Sequence, residues 1–395
     1  MARHKRRVAD ASSPAKESPL AAVASRFKSF RPAREVLKVV RAVPTRFVQF
    51  DHATRVGGLP IERFMLIHGP SNEGKSLAVL GLCDSFLARD HFALYVDAER
   101  TTPITWARGL MGANADHPGF FAIRPDTYEA TIGQVREFLN LVADLKAKGK
   151  VPAETSALVV VDSLRKLVPQ DLMKEILQAA AEEKRGKITA GKDRGAQIKA
   201  KMNAAWMDEL VPLLEHAGAG FVAIAREMVD PDADIWAKKY GTDYKVGGGG
   251  AIYYDASLSM RIERAAWVVD KKDDGKPKVL GERHRITIKK TKVAGKDDKA
   301  SVAYFHSSNG MLVPEGFDRA RDVLELAKRF GIVKLTGSTY TWGSKRTGVL
   351  GRGEHQAVKK LTNDAGTLNA LETEVREHFA DQAPVEHDPV TGEVA

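Results

Sequence analysis

The sequence predicts an α/β protein built on a mostly parallel sheet. From about residue 45 to residue 304, apolar strand-like stretches alternate with segments of helical periodicity, an order typical of parallel strands with helices on both faces. One apolar stretch breaks directly into a glycine-rich turn, and another ends in an aspartate. Such residues are expected where a parallel sheet holds a ligand, at the carboxyl ends of its strands. The predicted strands are Arg63–His68, Ala93–Asp97, Phe120–Ile123, Ala157–Asp162, Gly220–Ala225, Leu258–Glu263 and His284–Lys290.

The composition is that of a globular protein. With 395 residues, 43% of them hydrophobic, the chain can bury one large core and carry small appendages. No apolar run approaches the roughly 20 residues that cross a bilayer, and no apolar stretch follows the basic N-terminus. We therefore expect a cytoplasmic protein without a membrane partner. The single cysteine, Cys83, can form no internal disulfide and is expected to be a small packed side chain.

Positive charge is concentrated in two segments. Residues 1–50 hold twelve Lys or Arg against three acids, which is 12 − 3 = +9 of the formal net charge of +10. A second basic cluster, with seven Lys or Arg, lies between residues 184 and 201. Clustered cations favour a polyanionic partner such as nucleic acid, although either cluster alone is also compatible with a solvated surface.

The strongest motif is a phosphate-binding P-loop. Its residues are Gly69, Pro70, Ser71, Asn72, Glu73, Gly74, Lys75 and Ser76, between an apolar strand and a helix-forming segment that runs to Leu87. In this motif backbone N–H groups surround the phosphates, the lysine adds positive charge, and the serine hydroxyl can bind Mg²⁺. The chain is therefore predicted to bind a nucleoside triphosphate, ATP in particular, with Mg²⁺.

Two acids lie at or just after the ends of predicted strands. Asp162 ends the stretch Ala157–Asp162 and fits a Walker B aspartate that holds Mg²⁺, although alone it could equally cap a helix. Glu99 follows the strand that ends at Asp97, and it is the candidate general base that activates the attacking water. A solvated acid at a strand end is the alternative for Glu99.

Together these motifs resemble the bacterial RecA recombinases. The resemblance runs from about Phe47, through Gly57-Gly58-Leu59-Pro60, to about Phe379. It rests on the P-loop, Asp97-Ala98-Glu99, Val161-Asp162-Ser163, a glycine cluster before Ala251, and Ile288-Lys-Lys290-Thr-Lys292. The resemblance implies an ATPase core over residues 47–313, an N-terminal polymerisation element over 21–46 and a small α-rich, DNA-gating domain over 314–380. Composition adds a flexible basic arm at 1–20 and a mobile tail at 381–395.

Further nucleotide-site residues follow from the resemblance. Trp106 matches a tyrosine that stacks on adenine, and Lys290 and Lys292 match lysines that reach the ATP of a neighbouring subunit. Arg226 stands where the family has a glutamine that senses the γ-phosphate, and Pro103 replaces a nearby acid. These two departures leave phosphate binding intact but put the coupling between ATP and DNA in question.

Two long stretches, about 170–201 and 227–250, match the family's DNA-binding loops. The predicted contacts are Lys199, Lys201, Trp236, Tyr240, Tyr244, Gly248 and Gly249. Cations that neutralise phosphates, together with aromatic rings that stack on bases, hold a single strand without reading its sequence.

The resemblance implies an ATP-dependent DNA recombinase of a bacterial or phage-infected cell. Such a protein forms helical filaments of itself on single-stranded DNA and exchanges that strand with homologous duplex DNA, as a DNA-dependent ATPase. Two alternatives remain open at this point. One is a hexameric DNA motor or helicase with the same core fold, and the other is a non-catalytic, ATP-gated protein that coats single-stranded DNA.

Overall fold

The computed structural model describes residues 40–183, 195–239, 244–270, 277–295, 301–343 and 348–380. The chain divides into two compact units, residues 1–40 and residues 41–395, and every feature below lies in the second. The predicted arm at 1–20, most of the element at 21–46 and the tail at 381–395 lie outside the described residues.

Strands in the described residues are numbered along the chain. They are β1 (Ala42–Val43), β2 (Leu59–Pro60), β3 (Phe64–Gly69), β4 (Phe92–Asp97), β5 (Phe120–Ile123), β6 (Ala157–Asp162), β7 (Ala219–Val229), β8 (Tyr244–Val246), β9 (Leu258–Asp270), β10 (Lys278–Thr291), β11 (Val302–Ser308), β12 (Gly316–Phe317), β13 (Lys334–Thr336), β14 (Thr339–Trp342) and β15 (Gly348–Arg352).

The α-helices are numbered in the same way. They are α1 (Val48–Thr54), α2 (Lys75–Leu87), α3 (Ile104–Met111), α4 (Tyr128–Ala147), α5 (Gln170–Glu183), α6 (Gly195–Ala217), α7 (Ile235–Lys239), α8 (Gly250–Asp255), α9 (Arg319–Arg329), α10 (Glu354–Asn363) and α11 (Ala365–Ala380). Among these described helices, none is both long enough and apolar enough to span a bilayer.

The central sheet has ten strands in the described part of the chain. Its order is β12-β11-β10-β9-β3-β7-β6-β4-β5, with β8 paired to the outer part of β7. The six strands from β9 to β5 are parallel, and β10, β11 and β12 continue the sheet antiparallel. The predicted α/β fold with a mostly parallel sheet is confirmed. Because β3, β7, β6 and β4 are parallel, their carboxyl ends lie along the same edge of the sheet.

Alternate residues of the central strands face two separate hydrophobic clusters. On one face, Met65, Ile67 and Val160 pack beneath α2, and on the other, Leu66 and Val161 pack beneath α4 and α6. This alternation follows from the two-residue period of a strand, whose successive side chains point to opposite faces. Because both faces are covered, the strands read as continuous apolar runs in the sequence.

The C-terminal segment forms a third cluster that also includes Val48 of α1. Helices α9 and α11 fall where helical periodicity predicts Phe317–Phe330 and Asn369–Phe379. The segment also contains a three-stranded antiparallel sheet, β13-β14-β15, which the α-rich prediction did not include. These strands are short and mostly exposed or half-buried, so they carry little apolar patterning.

All seven predicted strands are present, but three extend several residues beyond the prediction, namely β7, which continues to Val229, and the pair β9 and β10. Strand β9 continues to Asp270 and β10 begins at Lys278, so the pair extends as a long hairpin. Charged residues interrupt the apolar pattern there, and ion pairs such as Arg285 to Glu263 and Arg264 to Glu282 hold the two strands side by side. Cross-strand ion pairs are not visible in a single-strand pattern.

Candidate nucleotide-binding site

Strand register brings the predicted phosphate-binding residues to one edge of the sheet. Gly69 at the end of β3 pairs with Arg226 of β7, and Asp97 of β4 pairs with Asp162 of β6. A cavity of about 940 Å³ opens at this edge. Its lining includes the P-loop from Ser71 to Ser76, together with Glu99, Trp106, Asp162 and Arg226. The volume is within the usual range for a small-molecule site, which is about 300–1,000 Å³.

Two P-loop glycines meet conformational demands that other residues cannot. Gly74 has φ +92°, and a Cβ there would lie 2.6 Å from Nδ1 of His284. A Cβ on Gly69, at φ +151°, would lie 2.1 Å from the carbonyl oxygen of Ile262. The loop therefore lies directly against β9 and β10, and α2 begins at Lys75 with its free N–H groups at the cavity.

The ammonium group of Lys75 donates a hydrogen bond to the carbonyl oxygen of Pro70, which lies in the same loop. Burial lowers the pKa of Lys75, and the carboxylates of Asp162, Glu227 and Glu99 act against that shift. A partly buried cation surrounded by acids is suited to a polyanionic ligand, which can replace the carbonyl as its partner.

Glu99 and Asp162 take up fixed positions on the cavity wall. The Ser163 hydroxyl donates to Oε1 of Glu99 at 2.8 Å, and the Tyr95 hydroxyl donates to Oδ2 of Asp162 at 2.9 Å. Burial raises the pKa of Asp162, and the neighbouring Ser76 and Tyr95 hydroxyl groups counteract this shift by stabilising the ionised form. The Ser76 hydroxyl and the Asp162 carboxylate are oxygen ligands of the kind that Mg²⁺ prefers.

Trp106 lies on α3. Its side chain is 37% exposed and lines the cavity together with Leu110, one turn further along the same helix. An accessible indole beside an apolar side chain offers a flat surface on which a planar base can stack. The lining of the cavity thus combines polar P-loop and acidic residues with an aromatic side chain.

Sequence reasoning missed two supports of the P-loop on the antiparallel strands. The backbone N–H of Arg264 donates to Oε2 of Glu73 at 2.5 Å, and Nδ1 of His284 lies 3.2 Å from the carbonyl oxygen of Glu73. Since a carbonyl carries no proton, Nδ1 of His284 is the donor. The ring is itself fixed by stacking on Phe305, with centroids 4.7 Å apart. A buried histidine in a strand gives no sequence signal of such a role.

The predicted DNA loops adjoin a second cavity of about 1300 Å³. Lys199, Tyr244, Gly248 and Gly249 line it, and Arg226 lines both this cavity and the first. The glycine run passes close to α6, because a Cβ on Gly249 would lie 2.9 Å from Cβ of Ala200. Asn203 of α6 donates to the Gly248 carbonyl at 2.8 Å.

The other predicted DNA-binding residues differ in accessibility. Trp236 is 61% exposed and Lys201 is exposed, whereas Tyr244 is half-buried, with its ring beside His68 and Arg261. Tyr240 lies outside the described residues. Lys199 donates to the Arg165 carbonyl at 2.9 Å, and its pKa is lowered by burial and by two neighbouring cations.

Lys290 lies near the end of β10 and Lys292 directly after that strand, and both are beside the C-terminal end of α8. Both ammonium groups donate to the carbonyl oxygen of Tyr254, at 2.6 Å and 2.8 Å respectively, and Lys290 also donates to Tyr253. Within a single chain they therefore cap a helix end, where positive charge is favourable. Among the described residues that line the first cavity, neither lysine occurs.

The fold and the cavity define a P-loop nucleotide-binding protein of the α/β class. Comparison with known proteins then gives the family. A family model described as the RecA N-terminal domain matches residues 31–311. The chain is 26% identical to the RecA protein of Chlorobaculum parvum over 338 residues, which cover 86% of this chain and 83% of that protein. It is 26% identical to RecA of Aquifex pyrophilus with the same coverage, and 24% identical to RecA of Frankia casuarinae over 353 residues, 89% and 88% of the two chains. The chain belongs to the RecA family.

Proposed function

We propose that this protein is an ATP-dependent DNA recombinase. Its protomers assemble into a helical filament on single-stranded DNA with ATP between neighbours, and the filament pairs that strand with a homologous duplex. ATP hydrolysis then loosens the contacts and releases the DNA. The observation that carries the proposal is the wall shared by the two cavities, in which Arg226 borders both the P-loop and the basic, glycine-rich loops.

The shared wall supplies a physical link between nucleotide and DNA. Arg226 pairs in register with Gly69, at the start of the P-loop, and the next residue, Glu227, accepts hydrogen bonds from His68 and Arg261. A guanidinium drawn towards a γ-phosphate moves the part of β7 that leads into the second loop. An arginine side chain can bind a phosphate through two parallel hydrogen bonds. We therefore assign to Arg226 the role of the family's glutamine, which is to sense the γ-phosphate.

Phosphate binding rests on the P-loop. Backbone N–H groups at the start of α2 and the Lys75 ammonium hold the β- and γ-phosphates. Ser76 and Asp162 would hold Mg²⁺, which would supply positive charge against the phosphates. Trp106, which lines the same cavity, stacks on the adenine.

Glu99 orients the attacking water and accepts its proton. Its carboxylate is exposed to the cavity, while the hydrogen bond from Ser163 fixes its direction. Lys290 and Lys292 act on the ATP of the adjacent protomer. For this they exchange the carbonyl of Tyr254 for phosphate oxygens, a stronger partner because the bond is then charge-assisted on both sides.

DNA is held by the two loops. Lys199 is the clearest contact, because a partly buried ammonium beside Arg165 and Lys166 is stabilised when a phosphate enters. Lys201 adds an exposed charge, and the aromatic side chains of Trp236, Tyr240 and Tyr244 supply rings that stack on bases. Gly248 and Gly249 let the backbone lie close to the strand.

Fluorescence anisotropy with labelled single-stranded DNA tests this assignment. We expect ATP, or a slowly hydrolysed analogue, to tighten binding, and electron micrographs of the same mixture to show helical filaments. Closed six-membered rings would instead support a DNA motor. Equal background hydrolysis by the parent and by Glu99→Gln would support a coating protein. DNA affinity that is independent of ATP in every condition would remove the recombinase proposal.

The DNA contact at Lys199 can be tested against a matched charge. Lys199→Ala should weaken binding and reduce the slope of log affinity against log salt by about 0.7, the value for one phosphate contact with a single strand. Lys148→Ala is the control, since Lys148 follows the C-terminal end of α4 and its side chain is 65% exposed. An equal loss in both variants would mean that overall charge, not the loop, determines the affinity.

A further inference from the structure

Tyr95 is a buried tyrosine whose hydroxyl group reaches the nucleotide site. It lies in β4 and is 2% exposed, and its ring belongs to the hydrophobic cluster beneath α2. A ring in that position needs no hydroxyl for packing. Burying a phenol hydroxyl is unfavourable unless it finds hydrogen-bond partners. The partners of this hydroxyl group therefore indicate what it contributes.

The hydroxyl group has two partners, and their chemistry sets the direction of each bond. It lies 2.9 Å from Oδ2 of Asp162 and 3.1 Å from Oγ1 of Thr102. An ionised carboxylate only accepts, so the single phenolic proton of Tyr95 points to Asp162. The phenolic oxygen is then free to accept from the Thr102 hydroxyl. Two hydrogen bonds with the same direction of donation therefore connect Thr102 to Tyr95 and Tyr95 to Asp162.

Asp162 depends on a hydrogen-bond donor such as Tyr95 more than the nearby acids Asp97 and Glu99 do. Asp97 is held by the guanidinium of Arg124 at 2.9 Å, and Glu99 by the Ser163 hydroxyl. Asp162 is 5% exposed and feels the negative charge of both other acids. A hydrogen bond to one of its oxygens fixes the rotation of the carboxylate about the Cβ–Cγ bond. It also favours the ionised form that a divalent cation requires.

We propose that Tyr95 is a positioning residue for Asp162, and through it for the divalent cation of the nucleotide site. This inference rests on the proposed ATPase function of the P-loop cavity and deepens it. Tyr95 does not touch the nucleotide. It supplies the hydrogen bond that orients the metal-binding carboxylate, and removal of such outer partners typically lowers metal affinity or activity by about 10–100-fold.

The test is Tyr95→Phe, which removes the hydroxyl group and keeps the ring. A fluorescent ADP analogue is titrated into the protein at a series of Mg²⁺ concentrations, so that the readout is binding and not turnover. In the variant, we expect the Mg²⁺ concentration that gives half of its full effect on analogue affinity to rise about 10-fold, the lower end of the range for such partners. With EDTA in place of Mg²⁺, the affinity of the variant for the analogue should stay within about twofold of that of the parent.

Three further comparisons make the result specific. Thr102→Val removes the second partner but leaves the bond to Asp162, so its Mg²⁺ dependence should follow the parent. In an Asp162→Asn background, Tyr95→Phe should add nothing further, because the two changes act through the same carboxylate. Tyr340→Phe, in the C-terminal sheet, controls for loss of a buried tyrosine hydroxyl elsewhere.

The outcomes separate this inference from the proposed function. Tyr95→Phe with the Mg²⁺ dependence of the parent, or an effect that simply adds to that of Asp162→Asn, overturns the role of Tyr95. If the parent shows Mg²⁺-dependent nucleotide binding but no DNA binding, the role of Tyr95 still stands and the recombinase proposal is ruled out. A parent that binds no nucleotide at all removes both.

Discussion

Asp51 gives the sharpest prediction for stability, because it is fully buried and charged groups surround it. Its carboxylate accepts from the backbone N–H of Thr45 at 2.7 Å, from the Thr45 hydroxyl at 2.6 Å and from the Arg376 guanidinium at 2.7 Å. These bonds connect α1 to α11. Burial nevertheless dominates and raises the pKa of Asp51 from its ordinary value of 3.8 to about 6.

The sign of the pH dependence follows from this shift. The folded chain holds the Asp51 proton up to a higher pH than the unfolded chain does, so stability is greatest below the unfolded pKa and falls as the pH rises through 6. A shift of this size is worth about 3 kcal/mol in total, of which about 2 kcal/mol is lost between pH 4.5 and pH 7.5. With an exposure of 0%, the carboxylate receives no screening from solvent.

Asp51→Asn removes this titration and keeps the shape of the side chain. The free energy of unfolding, measured with urea at four pH values from 4.5 to 7.5, should fall less steeply in the variant than in the parent. We expect the difference between the two proteins to change by about 2 kcal/mol over this range. A constant offset is also expected, since an amide offers one oxygen acceptor to three donors, and it does not depend on pH.

Asp144→Asn is the matched control, because it makes the same substitution at a carboxylate whose side chain is 64% exposed. Its curve should follow that of the parent. A difference between parent and Asp51→Asn that stays constant within about 0.5 kcal/mol across the range would refute the reasoning, since burial would then cost the charge nothing.

Further predictions concern the nucleotide site. Glu99→Gln keeps an acceptor for Ser163 but loses the basic carboxylate, so kcat for ATP hydrolysis should fall by about 10²–10⁴-fold with KM little changed; unchanged turnover would assign the base elsewhere. Gly74→Ala should weaken ATP binding by at least about 10-fold, as a residue with a Cβ is strained by roughly 1–3 kcal/mol at φ +92° and also meets the His284 ring. His284→Leu should weaken ADP binding in titration calorimetry, while His284→Asn, which retains a donor near the Glu73 carbonyl, should recover most of it; equal losses would leave only packing as the role of His284.

Much of the fold is predictable because it depends on local patterns. The apolar runs from Ala157 to Asp162 and from Phe64 to Gly69 are long, uniform and bounded by turn residues, and their bounds in the structure match the pattern closely. The hairpin of β9 and β10 and the small C-terminal sheet are less visible. Their strands are stabilised by cross-strand pairs of charged residues or by a few buried positions, which a one-dimensional pattern does not record.

The candidate site likewise contains residues that the sequence predicts and residues that only the tertiary structure identifies. The P-loop, Glu99 and Asp162 are recognisable because their chemistry requires particular residue types at fixed spacing in one segment. Tyr95 and His284 could not be assigned, nor could the bond that Glu73 of the P-loop accepts from Arg264, since each of these contacts involves a partner from a distant segment. His284 and Glu73, for example, are 211 residues apart in sequence yet lie within hydrogen-bond distance.

By itself, the order of amino acids determined the α/β class, the phosphate-binding loop and the family resemblance, because backbone conformation and phosphate chemistry impose local rules. Only the tertiary structure decided that Arg226 borders two cavities, that Lys290 and Lys292 rest on a helix end of their own chain, and that Tyr95 holds Asp162. Hydrogen bonds and ion pairs depend on distances of a few ångströms, and those distances are set by how separate strands are aligned in the sheet.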